Sequence, residues 1–462
     1  MVRRTVAHED YEGHVPGEPT PPQGTPVIVD PPTAVPVANK DGLDGAALSL
    51  EEAAVIMQES AEAAMSLDSD IEQAERLTDI ATALEELAGI TDGIGEISET
   101  HAALMENIGK MAVSGTDISP EAVVPAMEAR APSGATFKST AKEIIKSIMQ
   151  WLKNIWNSFE NFFRLAVTIP TLAGQAMELD KLVKNVGTPK KDMENIKLRI
   201  AATSVSANDQ VLVKSKDMIR AFKDVDEAVR YVLNQYCLAI ADQAEVVTTV
   251  MQKFTPYESN KAVAELADRL EGLNLPKIPG SGNALIIGND ELYIGKPLLG
   301  NYRLQMKNNI EHPDSPALGA LERYRRASVT IAVGDVVETP GDVLQVQRMS
   351  PNEMKEALNV VKAICNLLYK FYRGPHYTRM MRQRDVLEAM SLRMANLFER
   401  FDEADLHADA IVHYRALVGF NGAYAGWVRS PLVSMYQKSV ANVNTILAVV
   451  SASLRGYEMK GN

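Results

Sequence analysis

The feature that most constrains this chain is an abrupt change of character near Glu128. Residues 1–128 carry 5 Lys and Arg against 25 Asp and Glu, a balance of −20. The remainder of the 462 residues balances to +7, which yields the net −13 of the whole. Aromatic residues divide at the same place. Every Phe and every Trp lies after residue 128, and Tyr11 is the only aromatic before it. Strong self-repulsion without aromatic bulk leaves too little apolar surface to offset chain entropy. The chain therefore reads as an acidic leader without a core of its own, followed by a basic body that can build one.

The leader has two parts. Residues 1–45 are rich in Pro, Gly and Asp, as in Pro19-Thr-Pro-Pro and Asp30-Pro-Pro, and are expected to be disordered. Residues 46–128 carry helix signals. Ser49-Leu-Glu-Glu52 and Ser69-Asp-Ile-Glu72 are capping boxes that open Ala/Glu/Leu-rich patterns. Ser119-Pro120 offers a cap with Pro at the first helical position. Such Ala-rich helices bury little and need a partner surface.

The body is expected to be helical in two stretches, 129–274 and 350–462, around a β-rich insert at 275–349. Between 137 and 166, Phe137, Ala141, Ile144, Ile148, Leu152, Ile155, Phe159 and Phe162 recur every three or four residues, with Lys138, Lys142, Lys146 and Lys153 among the polar positions. This spacing is that of an amphipathic helix. Helical patterns continue across 191–253 and 257–272. Short β-branched runs separated by turn residues then predict strands: Ala284-Leu-Ile-Ile before Gly288-Asn-Asp, Ser328-Val-Thr-Ile-Ala-Val, and Asp342-Val-Leu-Gln-Val. Helix resumes at the capping box Ser350-Pro-Asn-Glu353 and stops at Gly374-Pro375. Further helices are expected to break around Gly419–Gly426 and at Pro431. The fold class is mainly α, an elongated helical bundle with a small β-rich insert, preceded by the acidic leader.

Several function classes find no support. Cys237 and Cys365, the only cysteines, make neither a disulfide framework nor a zinc cluster; both lie in apolar helical patterns and read as core. The first ten residues contain no apolar stretch of a secretory signal, and no apolar run approaches membrane-spanning length. Gly280-Ser-Gly282 lacks the third glycine of a dinucleotide loop. His407 and His413 stand four residues from Glu403 and Asp409, a spacing that suits metal ligands but equally a solvated acidic helix face, the commoner case. No enzymatic motif, cofactor, metal or small-molecule substrate is expected.

Two basic features remain. Lys362, Lys370, Arg373, Arg379, Arg382, Arg384 and Arg393 cluster among Tyr369, Phe371, Tyr372 and Tyr377. Lys and Arg interleaved with aromatics can engage phosphates and stack on bases, or the aromatics can face the core while the charges solvate the helices. The 137–166 helix, with Lys on one face and Trp and Phe on the other, suits either insertion into a membrane surface or docking against protein. Docking is favoured because Glu143 and Glu160 dilute the basic face.

The acidic leader, the small-x-Glu tripeptide Ala126-Met127-Glu128 before Ala129-Arg130, the Trp/Lys amphipathic helix and the long helical body together resemble the internal head proteins of giant PhiKZ-like tailed bacteriophages. The resemblance implies a propeptide, trimmed after Ser/Ala/Gly-x-Glu by a head-maturation protease. It implies a structural virion protein, assembled in the host cytoplasm and kept inside the capsid beside other head proteins and packaged DNA. Some such proteins are ejected with the genome. Eleven tripeptides of this kind occur in the chain, so position at the charge boundary singles out Ala126, Met127, Glu128 and Ala129. Pro132, Ser133 and Gly134 just downstream predict the extended backbone that cleavage needs.

Overall fold

A computed structural model of the protein describes residues 168–271, 273–288, 290–309, 316–337, 343–398 and 408–460, together with Lys153, Trp156 and Asn157. All belong to the second of two units, Gly42–Asn462. The acidic leader, the tripeptide at 126–128 and the rest of the 137–166 helix lie outside the described residues.

Helices account for 66% of the described residues, and the strands are confined to small sheets that join their ends. In chain order the helices are α1 (Thr168–Lys184), α2 (Ser215–Arg230), α3 (Cys237–Lys253), α4 (Ser259–Glu271), α5 (Pro316–Arg326), α6 (Pro351–Tyr372), α7 (Pro375–Phe398), α8 (Ala408–Trp427) and α9 (Ser434–Arg455). A π-helical turn, Tyr231–Tyr236, carries α2 into α3.

Periodicity explains how these helices pack. On α6, Met354, Ala357, Leu358, Val361, Ile364, Cys365, Leu368 and Phe371 form one buried stripe, and the helix lies against α1, α2 and α9. Helix α7 packs along α3, while α8 packs on α4 and α5. One apolar cluster runs from Trp156 to Tyr457. Three of its aromatic residues bury their rings and still satisfy their polar ends. The Trp427 indole donates to the Ala327 carbonyl at 2.9 Å, the Tyr424 hydroxyl to Met380 at 3.0 Å, and the Tyr236 hydroxyl to Trp427 at 3.1 Å.

Four antiparallel strands, β5 (Leu285–Ile287), β6 (Asp290–Ile294), β7 (Tyr302–Asn309) and β8 (Ser328–Val333), form one sheet in that order. Three two-stranded sheets accompany it: β1 (Val186–Pro189) with β10 (Tyr457–Met459), β2 (Asn195–Leu198) with β9 (Leu344–Gln347), and the hairpin of β3 (Ser206–Ala207) and β4 (Gln210–Val211).

The structure departs from sequence expectation in three places. Helix was expected from residue 191, but it begins only at Ser215. The intervening segment instead holds β2, whose Ile196 and Leu198 are buried while Asn195 and Lys197 are exposed, and the β3–β4 hairpin. That hairpin turns on Asn208 and Asp209, both left-handed at φ 54° and 59°, as a two-residue type I′ turn requires. Of the run at 342–346, Leu344, Gln345 and Val346 lie in strand β9, which pairs outside the expected insert, with β2. No break occurs at Gly419–Gly426, since α8 runs through all of it. A Cβ at Gly419 would stand 2.7 Å from the Arg325 guanidinium carbon, so this glycine makes room for an arginine rather than a bend. The expected break at Pro431 is present: Ser430, at φ −124° and ψ 123°, leaves helical geometry there.

Candidate nucleic-acid interface

The basic cluster sits on two consecutive helices whose ends are fixed by local chemistry. Ser350 and Glu353 form both halves of a capping box at the start of α6. The Glu353 carboxylate accepts from the Ser350 N–H at 2.7 Å, and the Ser350 hydroxyl accepts from the Glu353 N–H at 3.3 Å. Ser215 at the start of α2 also donates to Glu353, at 3.0 Å. Burial alone would raise the Glu353 pKa, but these hydrogen bonds outweigh it and hold the carboxyl below its usual value. At the other end, a Cβ on Gly374 would meet the Lys370 carbonyl oxygen at 2.7 Å. Only glycine lets the chain turn there before Pro375 opens α7.

Tertiary packing then sorts the seven basic residues. Lys362 pairs with Asp180 of α1 at 2.8 Å; chiefly through that hydrogen bond, the Asp180 carboxyl is held below its ordinary value. Arg379 reaches Asp242 and Glu245 of α3, each at 2.6 Å, and the Glu245 hydrogen bond leads in raising its pKa. Arg384 pairs with Asp385 at 2.5 Å, and its guanidinium carbon lies 5.9 Å from the Trp156 ring centroid. Arg393 donates to the Met251 carbonyl at 3.1 Å and to that of Gln252, complementing the negative end of α3.

Four of the seven, Lys370, Arg373, Arg382 and Arg393, are exposed and meet no carboxylate among the described residues, but Arg393 is already held by the α3 carbonyls. Arg373 lies over the Tyr369 ring at 4.4 Å and donates to its hydroxyl. Tyr369 is 40% exposed, whereas Phe371 and Tyr377 are buried and stack edge to face with centroids 5.8 Å apart. The available surface is therefore smaller than the sequence suggested: three exposed cations that neither a carboxylate nor a backbone carbonyl holds among the described residues, and one exposed aromatic. The signal missed in the sequence was the acid supply of α1 and α3, more than 130 positions upstream.

The remaining candidates resolve as packing. His413 is not on a solvated face; it is buried, with Nδ1 3.0 Å from the Ser259 hydroxyl. His407 and Glu403 lie outside the described residues. Among the described residues no group of three or more His, Cys, Asp or Glu could hold a metal ion. Cys237 and Cys365 are buried and unpaired, and burial pushes both thiols up to about 12. Gly280 sits in a loop at φ 68°. Sequence reasoning passed over Lys438 of α9, whose ammonium lies 5.7 Å from the Tyr302 ring centroid and whose pKa burial lowers. Trp156 is 3% exposed, with its ring 5.5 Å from that of Tyr424. Among the described residues no helix is long and apolar enough to cross a membrane.

The family model of phiKZ-like phage internal head proteins matches residues 51–451, most of the chain. The protein belongs to that family, which places it inside the virion with other head components. Neither the curated proteins nor the solved structures contain a match.

Proposed function

We propose that this structural head protein is made with an acidic propeptide, is cut by the head-maturation protease after Glu128, and is then packaged beside the phage DNA. The observation that carries the reading is the family match, which begins at residue 51 and runs across the charge boundary at 128. Leader and body thus belong to one family pattern although their physical characters are opposite. Cleavage would remove about −20 and leave a body of about +7, which the polyanion repels less. Ala126 would be the small residue two before the cut, Glu128 the recognised one, and Ala129 the new N-terminus. The exposed Lys370, Arg373 and Arg382 would contact phosphates weakly and without sequence preference. In this reading the protein catalyses nothing, takes no cofactor, and can travel with the ejected genome.

N-terminal sequencing of the particle-associated protein tests the proposal. The expected first residue is Ala129, and Glu128→Ala should leave the leader attached. A mature chain that still begins within its first ten residues refutes the processing claim. The rival reading, a membrane-active helix at 137–166, has less support because Trp156, which insertion would send into lipid, is buried against Tyr424.

A further inference from the structure

We propose that the edge of the four-stranded sheet left unpaired among the described residues, strand β5, is a self-pairing surface: a second copy of this chain adds its own β5 antiparallel about Ile286. The two sheets then join into one of eight strands. This inference does not depend on propeptide removal or DNA contact.

Strand β5 stands at the end of the order β5-β6-β7-β8, so among the described residues one side of it has no strand partner. Two residues connect β5 to β6, and Ile287 pairs with Asp290 across them. The pair flanking a two-residue connection is a closely hydrogen-bonded one. Antiparallel alternation makes Leu285 and Leu292 the next such pair. Ile286 lies between them, so its N–H and C=O point away from β6 toward the open edge.

Side chains agree with the backbone. Leu285, Ile286 and Ile287 are 51%, 61% and 59% exposed, three consecutive large aliphatics on a strand that shows both faces to solvent. Exposed edges are ordinarily guarded by a charge, a proline or a bulge. The stretch Ala284-Leu-Ile-Ile-Gly288 contains no charge and no proline, and its register with β6 is regular. Among the described residues, a Cβ added at Gly282 or Gly288, on either side of the strand, would meet nothing within 4 Å.

The same features select the occupant. Around a two-fold axis at Ile286, that residue would face Ile286 of the second copy and exchange two backbone hydrogen bonds with it. Leu285 would face Ile287 of the other copy, and the reverse, giving two aliphatic pairs on one face. Ala284 would face Gly288, where both are small. No like charges meet, so the edge is complementary to itself, as an isologous contact requires.

Sedimentation of the full chain across a range of concentrations tests this. The expected mass rises from that of the 50.5 kDa chain toward twice that value. Ile286→Lys should weaken association about tenfold or more, with the helical circular dichroism and Tm unchanged because the side chain is largely exposed. Ile286→Cys should form a disulfide-linked dimer on oxidation, since both native thiols are buried. Val336→Cys should not, although Val336 is 80% exposed. A wild-type chain that stays monomeric throughout overturns the proposal. So does a dimer that Ile286→Lys leaves intact, or cross-linking through Val336→Cys as ready as through Ile286→Cys.

Discussion

If the basic corner touches DNA, its salt dependence should count the exposed cations and not the paired ones. Each phosphate neutralised contributes about −0.9 to the slope of log K against log salt. Three contacts, Lys370, Arg373 and Arg382, predict a slope of about −2.7, whereas all seven basic residues would give about −6.3. Between 50 and 200 mM salt these correspond to losses of about fortyfold and about six thousandfold. Fluorescence anisotropy with a labelled duplex of arbitrary sequence, at several salt concentrations, separates them. Replacing Lys370, Arg373 and Arg382 together by Gln should flatten the slope nearly to zero. Arg379→Gln should leave it unchanged, because Asp242 and Glu245 already hold that charge at 2.6 Å. Those partners are well exposed, so Arg379→Gln should cost stability only about 0.5–1 kcal/mol. A slope near −6, or an Arg379→Gln effect as large as that of the triple variant, refutes the assignment.

Other outcomes follow from the packing. Ser350→Ala should lower stability by about 1 kcal/mol in denaturant titration. The Glu353 contribution is full above the ordinary glutamate value and lost as pH falls through its lowered folded pKa, so Glu353→Gln should cost stability near pH 7 and progressively less as the solution is acidified. Asn301 is 2% exposed at φ 59° and clasps Asp209 and the Asp335 carbonyl at 2.8 and 2.7 Å. Asn301→Ala should therefore cost about 2–4 kcal/mol, and Asn301→Gly less, because glycine relieves the backbone strain but not the lost hydrogen bonds. Trp156→Ala should lower Tm as an aromatic core truncation of about 3–5 kcal/mol does, while the wild-type chain should not bind anionic vesicles. Vesicle binding abolished by Trp156→Ala with Tm unchanged would favour the membrane reading.

What the sequence by itself determined is what a few neighbouring residues decide together. The Ser350–Glu353 capping box, the stop at Gly374-Pro375, the stripe of α6 and the burial of Cys237 and Cys365 are settled within one or two helical turns, where spacing and side-chain chemistry suffice. Strand β5 before the turn at Gly288 was legible for the same reason, whereas its partner β6 was not. Tertiary structure decided whatever depends on distant partners. Strand β2 exists because β9 lies beside it, and β1 because β10 returns to it from the far end of the chain. Such short segments have no stability alone and no period long enough to announce them. Gly419–Gly426 looked like a break because glycine costs a helix about 1 kcal/mol; burial of α8 against α4 and α5 outweighs that cost. The basic cluster has few acids beside it in the sequence, which shows only the acids nearby. Folding brought Asp180, Asp242 and Glu245 to it, since a partly buried cation is stable only where a counter-charge or a carbonyl is held within reach.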